Sequence, residues 1–286
     1  MATILVTGAT GTVGAEVAQV LAERYPEHRL LKASSKPREG EGWVVFDFLD
    51  PSTFGPWLAE VERIFFMRPP ALASVDKQFT PFLDALSASG RLESVVFLSL
   101  QGAEGMPWVP HRKIELALQA RNLPWTFLRP SFFFQNLTGT HGQEIRETGA
   151  LTLPAGDGRT SFVDTRDIAE VAAKILADPK PHHKKDYELT GSESPTYHEV
   201  MKELAQAAGR PLVYRPVGFL RFYRHCRRRG LSRSMTLVMS MLYGACRTGG
   251  AGHLSPVMAD FLGRPPRTLR EFAADFAQVW KEPNVR

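Results

Sequence analysis

Thr3-Ile-Leu-Val-Thr7-Gly8-Ala-Thr-Gly11-Thr-Val-Gly14 stands at the N-terminal end of the chain. The run Thr3–Thr7 is short, apolar and β-branched, which is the pattern of a buried strand. Three glycines follow at once, and Val13, Val17, Val20 and Leu21 then recur at helical spacing. Strand, glycine turn and helix in that order are the opening unit of a dinucleotide-binding fold. Gly8 permits the tight turn, Gly11 lets a pyrophosphate approach the backbone, and Gly14 lets the helix pack closely on the strand. The free N–H groups at the helix start then point at the phosphates.

Outward from this turn the same alternation continues. Strand candidates Arg29–Ala33, Val44–Phe46, Arg63–Met67, Val95–Leu100 and Trp125–Arg129 are separated by helical stripes such as Phe79, Phe82, Leu83 and Leu86. The alternation predicts a Rossmann-type α/β fold, a doubly wound parallel sheet with helices on both faces. The strands are apolar throughout, as a sheet buried on both sides requires. Phe162–Val163 leads to a helix over Ile168–Leu176 with Asp164 as its cap, and Tyr187–Thr190 reads as a further strand. Thr196-Tyr-His-Glu199 is a capping box whose helix ends near Gly209,. Beyond it the pattern is helical to the end, with no repeated strand. The expected organisation is a dinucleotide-binding domain over 1–190, with 132–153 partly leaving it for a substrate cleft. Residues 191–286 then form a smaller, mostly helical substrate-binding lobe.

The end of the second strand selects the cofactor. A site for NAD places a carboxylate there, about 20 residues after the glycines, to hold the ribose 2′-hydroxyl. Here Leu31-Lys-Ala-Ser34-Ser35-Lys36-Pro-Arg38 offers hydroxyls and cations, with no acid until Glu39. Such a set suits a 2′-phosphate, which a carboxylate would repel. The expected cofactor is NADP(H).

Four segments add to this reading: the GATGxxG loop, Arg129-Pro-Ser-Phe-Phe-Phe-Gln-Asn136, Phe162-Val-Asp-Thr-Arg-Asp167-Ile-Ala and Tyr187-Glu-Leu-Thr-Gly191. In that order, and over nearly the whole chain, they resemble the NmrA-like group of atypical short-chain dehydrogenases/reductases. Within the group the chain is most similar to NAD(P)H-dependent reductases of the triphenylmethane and type-2 quinone kinds. The resemblance implies that Gly8, Thr10, Gly11, Thr12 and Val13 contact the pyrophosphate. It implies that Asp47 and Phe48 flank the adenine and that Met67, Arg68 and Pro69 lie near the nicotinamide ribose. Asn136 would stand at the mouth of the substrate pocket.

Ordinary short-chain dehydrogenases use Tyr-x-x-x-Lys, in which the lysine lowers the tyrosine pKa for acid/base work. Here Val109 stands four residues before Lys113, and no tyrosine lies between Tyr25 and Tyr187. Sugar-nucleotide epimerase and ordinary alcohol dehydrogenase chemistry are therefore disfavoured. His111 matches a histidine of the quinone-reductase relatives. It could donate a proton or hydrogen bond near neutral pH, or it could be a surface or capping residue, and its type leaves both open. Lys113 could hold the ribose or offset developing charge. Ser99 matches the serine position of the superfamily, although a strand-end hydrogen bond is its plainer role. Glu115 reads as a solvated helix-face charge. Phe132, Phe133, Asn136, Phe222 and Met239 are the candidates for an aromatic, adaptable substrate pocket, with Phe134, Phe219, Tyr223, Met235 and Met241 as further material. Plain core packing accounts for more than half of that larger set.

Composition narrows the function classes. Hydrophobic residues at 43% and charged residues at 23% belong to an ordinary soluble globular chain,. The formal charge of +5 is mild, and part of it sits in Arg221–Arg229, which reads as an amphipathic helix with a wet basic face,. Nucleic acid is therefore disfavoured as a partner. Cys226 and Cys246 belong to no CxxC or histidine cluster, so neither a metal site nor a disulfide framework is expected,. The N-terminus lacks a basic leader, and the apolar run Met235–Cys246 falls short of the roughly 20 residues that span a bilayer. A cytoplasmic protein without a membrane partner is expected, and a homodimer is compatible with the sequence. The expected function is an NADPH-dependent reductase that transfers hydride to a quinone-like or other conjugated aromatic molecule. The alternative is a non-catalytic NADP-sensing regulator that binds a protein partner.

Overall fold

A computed structural model describes residues 1–281. Its strands, in chain order, are β1 (Thr3–Val6), β2 (Arg29–Ser34), β3 (Trp43–Val45), β4 (Arg63–Met67), β5 (Ser94–Leu98), β6 (Trp125–Pro130), β7 (Phe132–Phe133), β8 (Ala150–Leu153), β9 (Phe162–Val163), β10 (Lys185–Leu189) and β11 (Val213–Pro216). Seven of them form one sheet in the order β10-β6-β5-β4-β1-β2-β3. Every pairing in it is parallel. From β1 the chain builds outward through β2 and β3, then returns to β4 on the other side of β1. Open α/β sheets bind ligands at such a switch point, beyond the C-terminal strand ends.

The chain divides into two compact units. The first comprises Met1–Pro130 and Thr165–Leu189, and the second comprises Ser131–Asp164 and the residues from Thr190 onward. The segment that leaves the first unit is thus Ser131–Asp164, longer than the expected 132–153. Its extension is caused by β9, which pairs with β7 rather than with the large sheet.

In the first unit Leu5, Ile64, Phe66, Val95, Phe97 and Phe127 join Phe46, Phe79, Phe82 and the helix residues Ile114 and Leu118 in one core. The intervening strand residues Ile4, Val6, Phe65, Val96 and Leu128 are equally buried. On that opposite face the helices Thr12–Arg24 and Thr165–Ala177 pack together. Alternate residues thus point to opposite apolar layers, which is why the strands carry no polar stripe. Each large side chain buried this way contributes about 1.5–3 kcal/mol.

The second unit is mostly helical but holds two small sheets, β7 with β9 and β8 with β11. The helix Tyr197–Ala208 starts with the expected capping box and ends at Gly209 with φ +67°. β11 corrects the expectation that everything beyond Gly209 is helical. Only Tyr214 is buried in that stretch, so no local periodicity marks it. It becomes a strand by pairing with β8, far back in the chain. The core of this unit gathers Phe134, Phe162, Tyr197, Phe222, Tyr243, Phe272 and Trp280.

Candidate functional site

The C-terminal ends of β1 and β4 are tied together at the switch point. Thr7 donates its backbone N–H to the Phe65 carbonyl at 2.9 Å, and its hydroxyl accepts from the Met67 N–H at 2.8 Å. Gly8 then turns in the left-handed region at φ +66°. Its carbonyl accepts the Gly11 N–H at 2.9 Å. A Cβ on Gly14 would lie 2.2 Å from that same carbonyl oxygen, and a Cβ on Gly8 would lie 2.3 Å from the Met67 Cε. The loop closes only because both positions are glycine. The helix Thr12–Arg24 begins on Gly11 with no side-chain cap and no acid in its first turn. Its first N–H groups therefore present partial positive charge without a protein acceptor, a cradle that fits a phosphate. Thr10 and Thr12 are exposed beside it, while the Val13 side chain is buried, which leaves Val13 only its backbone N–H to offer.

The end of β2 carries a cation cluster. The buried Ser34 hydroxyl accepts from the Lys36 N–H and from the Arg38 Nε, each at 3.3 Å. Ser35, Lys36 and Arg38 are exposed. Trp43, at the start of β3, has the Lys32 ammonium 5.1 Å and the Arg38 guanidinium 5.2 Å from its ring. Cation–π contacts of this kind hold Arg38 against the strand end. Neither Lys32 nor Trp43 was singled out in the sequence, where Trp43 follows Glu39 and Glu41 and only the fold brings the cations to it. At the exit of β3 the Asp47 carboxylate accepts the Leu49 N–H at 2.9 Å. Phe48 lies inside the aromatic core, 4.6 Å from Phe46 and 5.0 Å from Phe79 between ring centroids. Its side chain is therefore a packing element.

Beyond β4, Arg68 folds back and donates to the carbonyls of Pro69 and Pro70 at 3.0 and 3.2 Å, and to that of Leu72. Burial lowers its pKa. His111 is the second residue of the helix Pro110–Ala120, at the positive helix end,. Burial pushes its pKa down to about 3, and Arg68 adds to the effect against a smaller pull from Glu115. The imidazole is neutral at physiological pH. In that form it can give or accept a hydrogen bond but holds no extra proton to release. Val109, where a catalytic tyrosine would stand, caps the helix, and Lys113 is exposed.

Glu115 is a correction. It is fully buried, not a solvated helix-face charge. Its Oε1 accepts the Ser99 hydroxyl at 2.7 Å and the Arg129 Nε at 3.0 Å. Its Oε2 accepts the Arg129 Nη2 at 3.0 Å and the Arg112 Nη1 at 2.9 Å. Burial pushes this carboxyl up, but hydrogen bonds from Arg129, Ser99 and Arg112 outweigh it and hold its pKa below the usual value. Arg129 also pairs with Asp186 at 2.9 Å and Glu104 at 3.1 Å. The Ser99 hydroxyl thus makes a strand-end hydrogen bond to Glu115. Arg129 itself was the missed signal, because a charge in an otherwise apolar strand needs a buried partner.

In the second unit Phe132 and Phe133 are half-buried on β7, and Asn136 is half-buried in the turn Phe134–Leu137. Phe222 and Met239 belong to the core. Phe219, Met235 and Met241 are exposed. One feature of this unit escaped sequence reasoning: the buried His141 Nε2 lies 2.5 Å from the Tyr243 hydroxyl. Burial pushes the His141 pKa down to about 3.

Residues 44–260 match the family model described as the NmrA-like family. The chain belongs to the NmrA-like family. A relative, the NAD(P)H azoreductase of Xenophilus azovorans, is 31% identical over 287 residues, covering 97% of this chain and 99% of that protein. Among solved structures, the Citrobacter sp. triphenylmethane reductase complexed with NADP(H) aligns with a TM-score of 0.84 at 23% identity, over 96% of this chain and 99% of the other. The Escherichia coli NADPH-dependent quinone oxidoreductase complexed with NADPH aligns with a TM-score of 0.85 at 23% identity, again over 96% and 99%. These two share the fold.

Proposed function

We propose that this protein is an NADPH-dependent oxidoreductase that reduces a quinone-like or other conjugated aromatic small molecule. The observation that carries the reading is the acid-free strand end, where Ser34, Lys36 and Arg38 are drawn together within hydrogen-bonding distance. The name of the azoreductase relative, which spans nearly the whole chain, points the same way. The N–H groups after Gly11 hold the pyrophosphate, with Gly8, Thr10, Thr12, Val13 and Gly14 shaping the cradle. Ser34, Ser35, Lys36 and Arg38 hold the 2′-phosphate. Asp47 and the backbone of Phe48 border the adenine, and Met67, Arg68 and Pro69 border the nicotinamide ribose. When bound, the cofactor supplies a hydride.

Reduction of a quinone to a hydroquinone takes that hydride and one proton. A histidine held neutral down to a pKa of about 3 is a poor reservoir for that proton near neutral pH. His111 therefore donates a hydrogen bond to the reducible oxygen, and solvent delivers the proton after hydride transfer. Lys113 offsets the developing negative charge from the exposed helix face. Orientation of donor and acceptor and exclusion of water supply most of the rate. Phe132, Phe133 and Asn136 are the second unit's candidates for substrate contact, and Phe222 and Met239 belong to its core.

The test is NADPH oxidation, followed optically, against a panel of quinones, enones, azo compounds and triarylmethane dyes. Turnover with at least one panel member is expected. Tight NADPH binding without turnover on any of them would replace this reading with the NADP-sensing regulator.

A further inference from the structure

The helix Arg233–Arg247 is apolar on two faces. Thr236, Met239, Tyr243 and Cys246 are buried. Leu237, Val238, Met241 and Leu242 form a second stripe that faces solvent. Leu237 is 61% exposed, and Leu220, near the start of the neighbouring helix Phe219–Arg228, is 80% exposed. Contiguous exposed aliphatic surface of this kind marks an interaction site. No charged residue interrupts 234–246, while Arg233 and Arg247 close the two ends. The stretch of chain that carries these helices is of one sign. From Leu204 to Ala259 the chain has nine arginines and neither aspartate nor glutamate. Arg221, Arg224, Arg228 and Arg233 are exposed, whereas Arg229 turns inward to Glu144 at 3.0 Å.

We propose that these two helices form a docking face for an anionic lipid bilayer, with the helix Arg233–Arg247 lying flat in the headgroup region. Interfacial helices combine an aliphatic stripe that enters the acyl boundary with arginines that meet anionic headgroups. Leu220, Arg221, Arg224 and Arg228 are all exposed on the helix Phe219–Arg228, and the neighbouring helix adds its exposed aliphatic stripe. Spanning is a different matter, because no helix among the described residues is long and apolar enough to cross a membrane. Other occupants use less of the surface. A second copy would bring the same arginines against these, charge against like charge. A nucleic acid would engage the arginines and leave Leu220, Leu237, Val238 and Leu242 in water. The proposal revises the expectation of no membrane partner, since the short apolar run needs only to lie on a bilayer. It does not depend on the proposed reaction.

The experiment is flotation of the full chain with vesicles of mixed phosphatidylglycerol and phosphatidylcholine, against vesicles of phosphatidylcholine alone. Association is expected to be at least about tenfold stronger with the anionic vesicles and to weaken as salt is raised. Leu220→Asp with Leu237→Asp removes the aliphatic part, and Arg221→Glu with Arg228→Glu removes the charge. Each pair should cut association about tenfold or more, with an unchanged thermal midpoint showing that the fold persists. The proposal is overturned by equal or absent association with the two vesicle types, or by folded variants that float as well as the parent. It is equally overturned by binding to duplex DNA without vesicle binding. A dimer that Leu237→Asp dissociates, without vesicle binding, would assign the face to a second copy.

Discussion

Replacing Glu115 with alanine probes the buried network beneath the candidate active site. The carboxylate accepts four hydrogen bonds from Ser99, Arg112 and both Arg129 nitrogens, and is itself fully buried. Breaking a buried ion pair by removing one partner costs about 3–5 kcal/mol, because the remaining charge loses its compensation. Arg129 keeps Asp186 and Glu104, and both lie near the surface, so the lower end applies, about 3 kcal/mol. For a chain of this size that corresponds to a fall of about 6–12 °C in the thermal midpoint. Glu115→Gln keeps the shape and part of the hydrogen bonding, and should lose about half as much, since charge-assisted bonds are roughly twice as strong as neutral ones. Glu115→Met with Arg129→Met removes both charges and should recover part of the loss. The pH dependence has a definite sign. The folded pKa lies below that of an ordinary glutamate, so the stabilisation is full above the unfolded pKa and is lost as pH falls through the folded pKa. Urea unfolding followed by circular dichroism, at neutral and mildly acidic pH, measures all of this. A Glu115→Ala unfolding free energy within about 0.5 kcal/mol of the parent would refute the reasoning and return Glu115 to the solvent.

Three further outcomes are expected. NADPH should bind at least about tenfold more tightly than NADH, a difference near 1.4 kcal/mol, and Lys36→Ala with Arg38→Ala should narrow the gap by weakening NADPH; equal calorimetric affinities in the parent would refute this. Gly14→Ala should disrupt the turn, since its Cβ would stand 2.2 Å from the Gly8 carbonyl, and should lower the thermal midpoint together with NADPH binding; Gly11→Ala, whose Cβ would lie 3.4 Å from its nearest protein neighbours, should keep the fold and still weaken NADPH binding, because that Cβ meets the approaching pyrophosphate; melting curves beside dye-displacement titration separate the two. His111→Ala should slow hydride transfer by no more than about 10²-fold, and the parent rate should show no inflection near pH 6.5, because the imidazole stays neutral down to about pH 3. Stopped-flow rates over pH 5–8 that report a histidine titration would make His111 the proton donor.

The doubly wound sheet, the glycine cradle, the capping box at Thr196 and the acid-free end of β2 were all legible in the sequence. Each is encoded locally: by the period of apolar residues, by glycine where a side chain cannot fit, or by a cap that bonds three residues away. What the sequence left open depended on groups distant in the chain. Glu115 has the spacing of a surface charge, and its burial follows from Arg129 and Ser99, which arrive on other strands. His111 has an ordinary pKa until Arg68 and the packed helix end surround it. The resemblance implies that Phe48 flanks the adenine, yet its ring packs in the core against Phe46, Phe79 and Phe82. β11 exists because β8 pairs with it. The helix Arg233–Arg247 carries two apolar faces, and periodicity cannot say which of them meets the core. Local pattern specifies the elements, whereas burial and charge pairing are properties of the assembled chain.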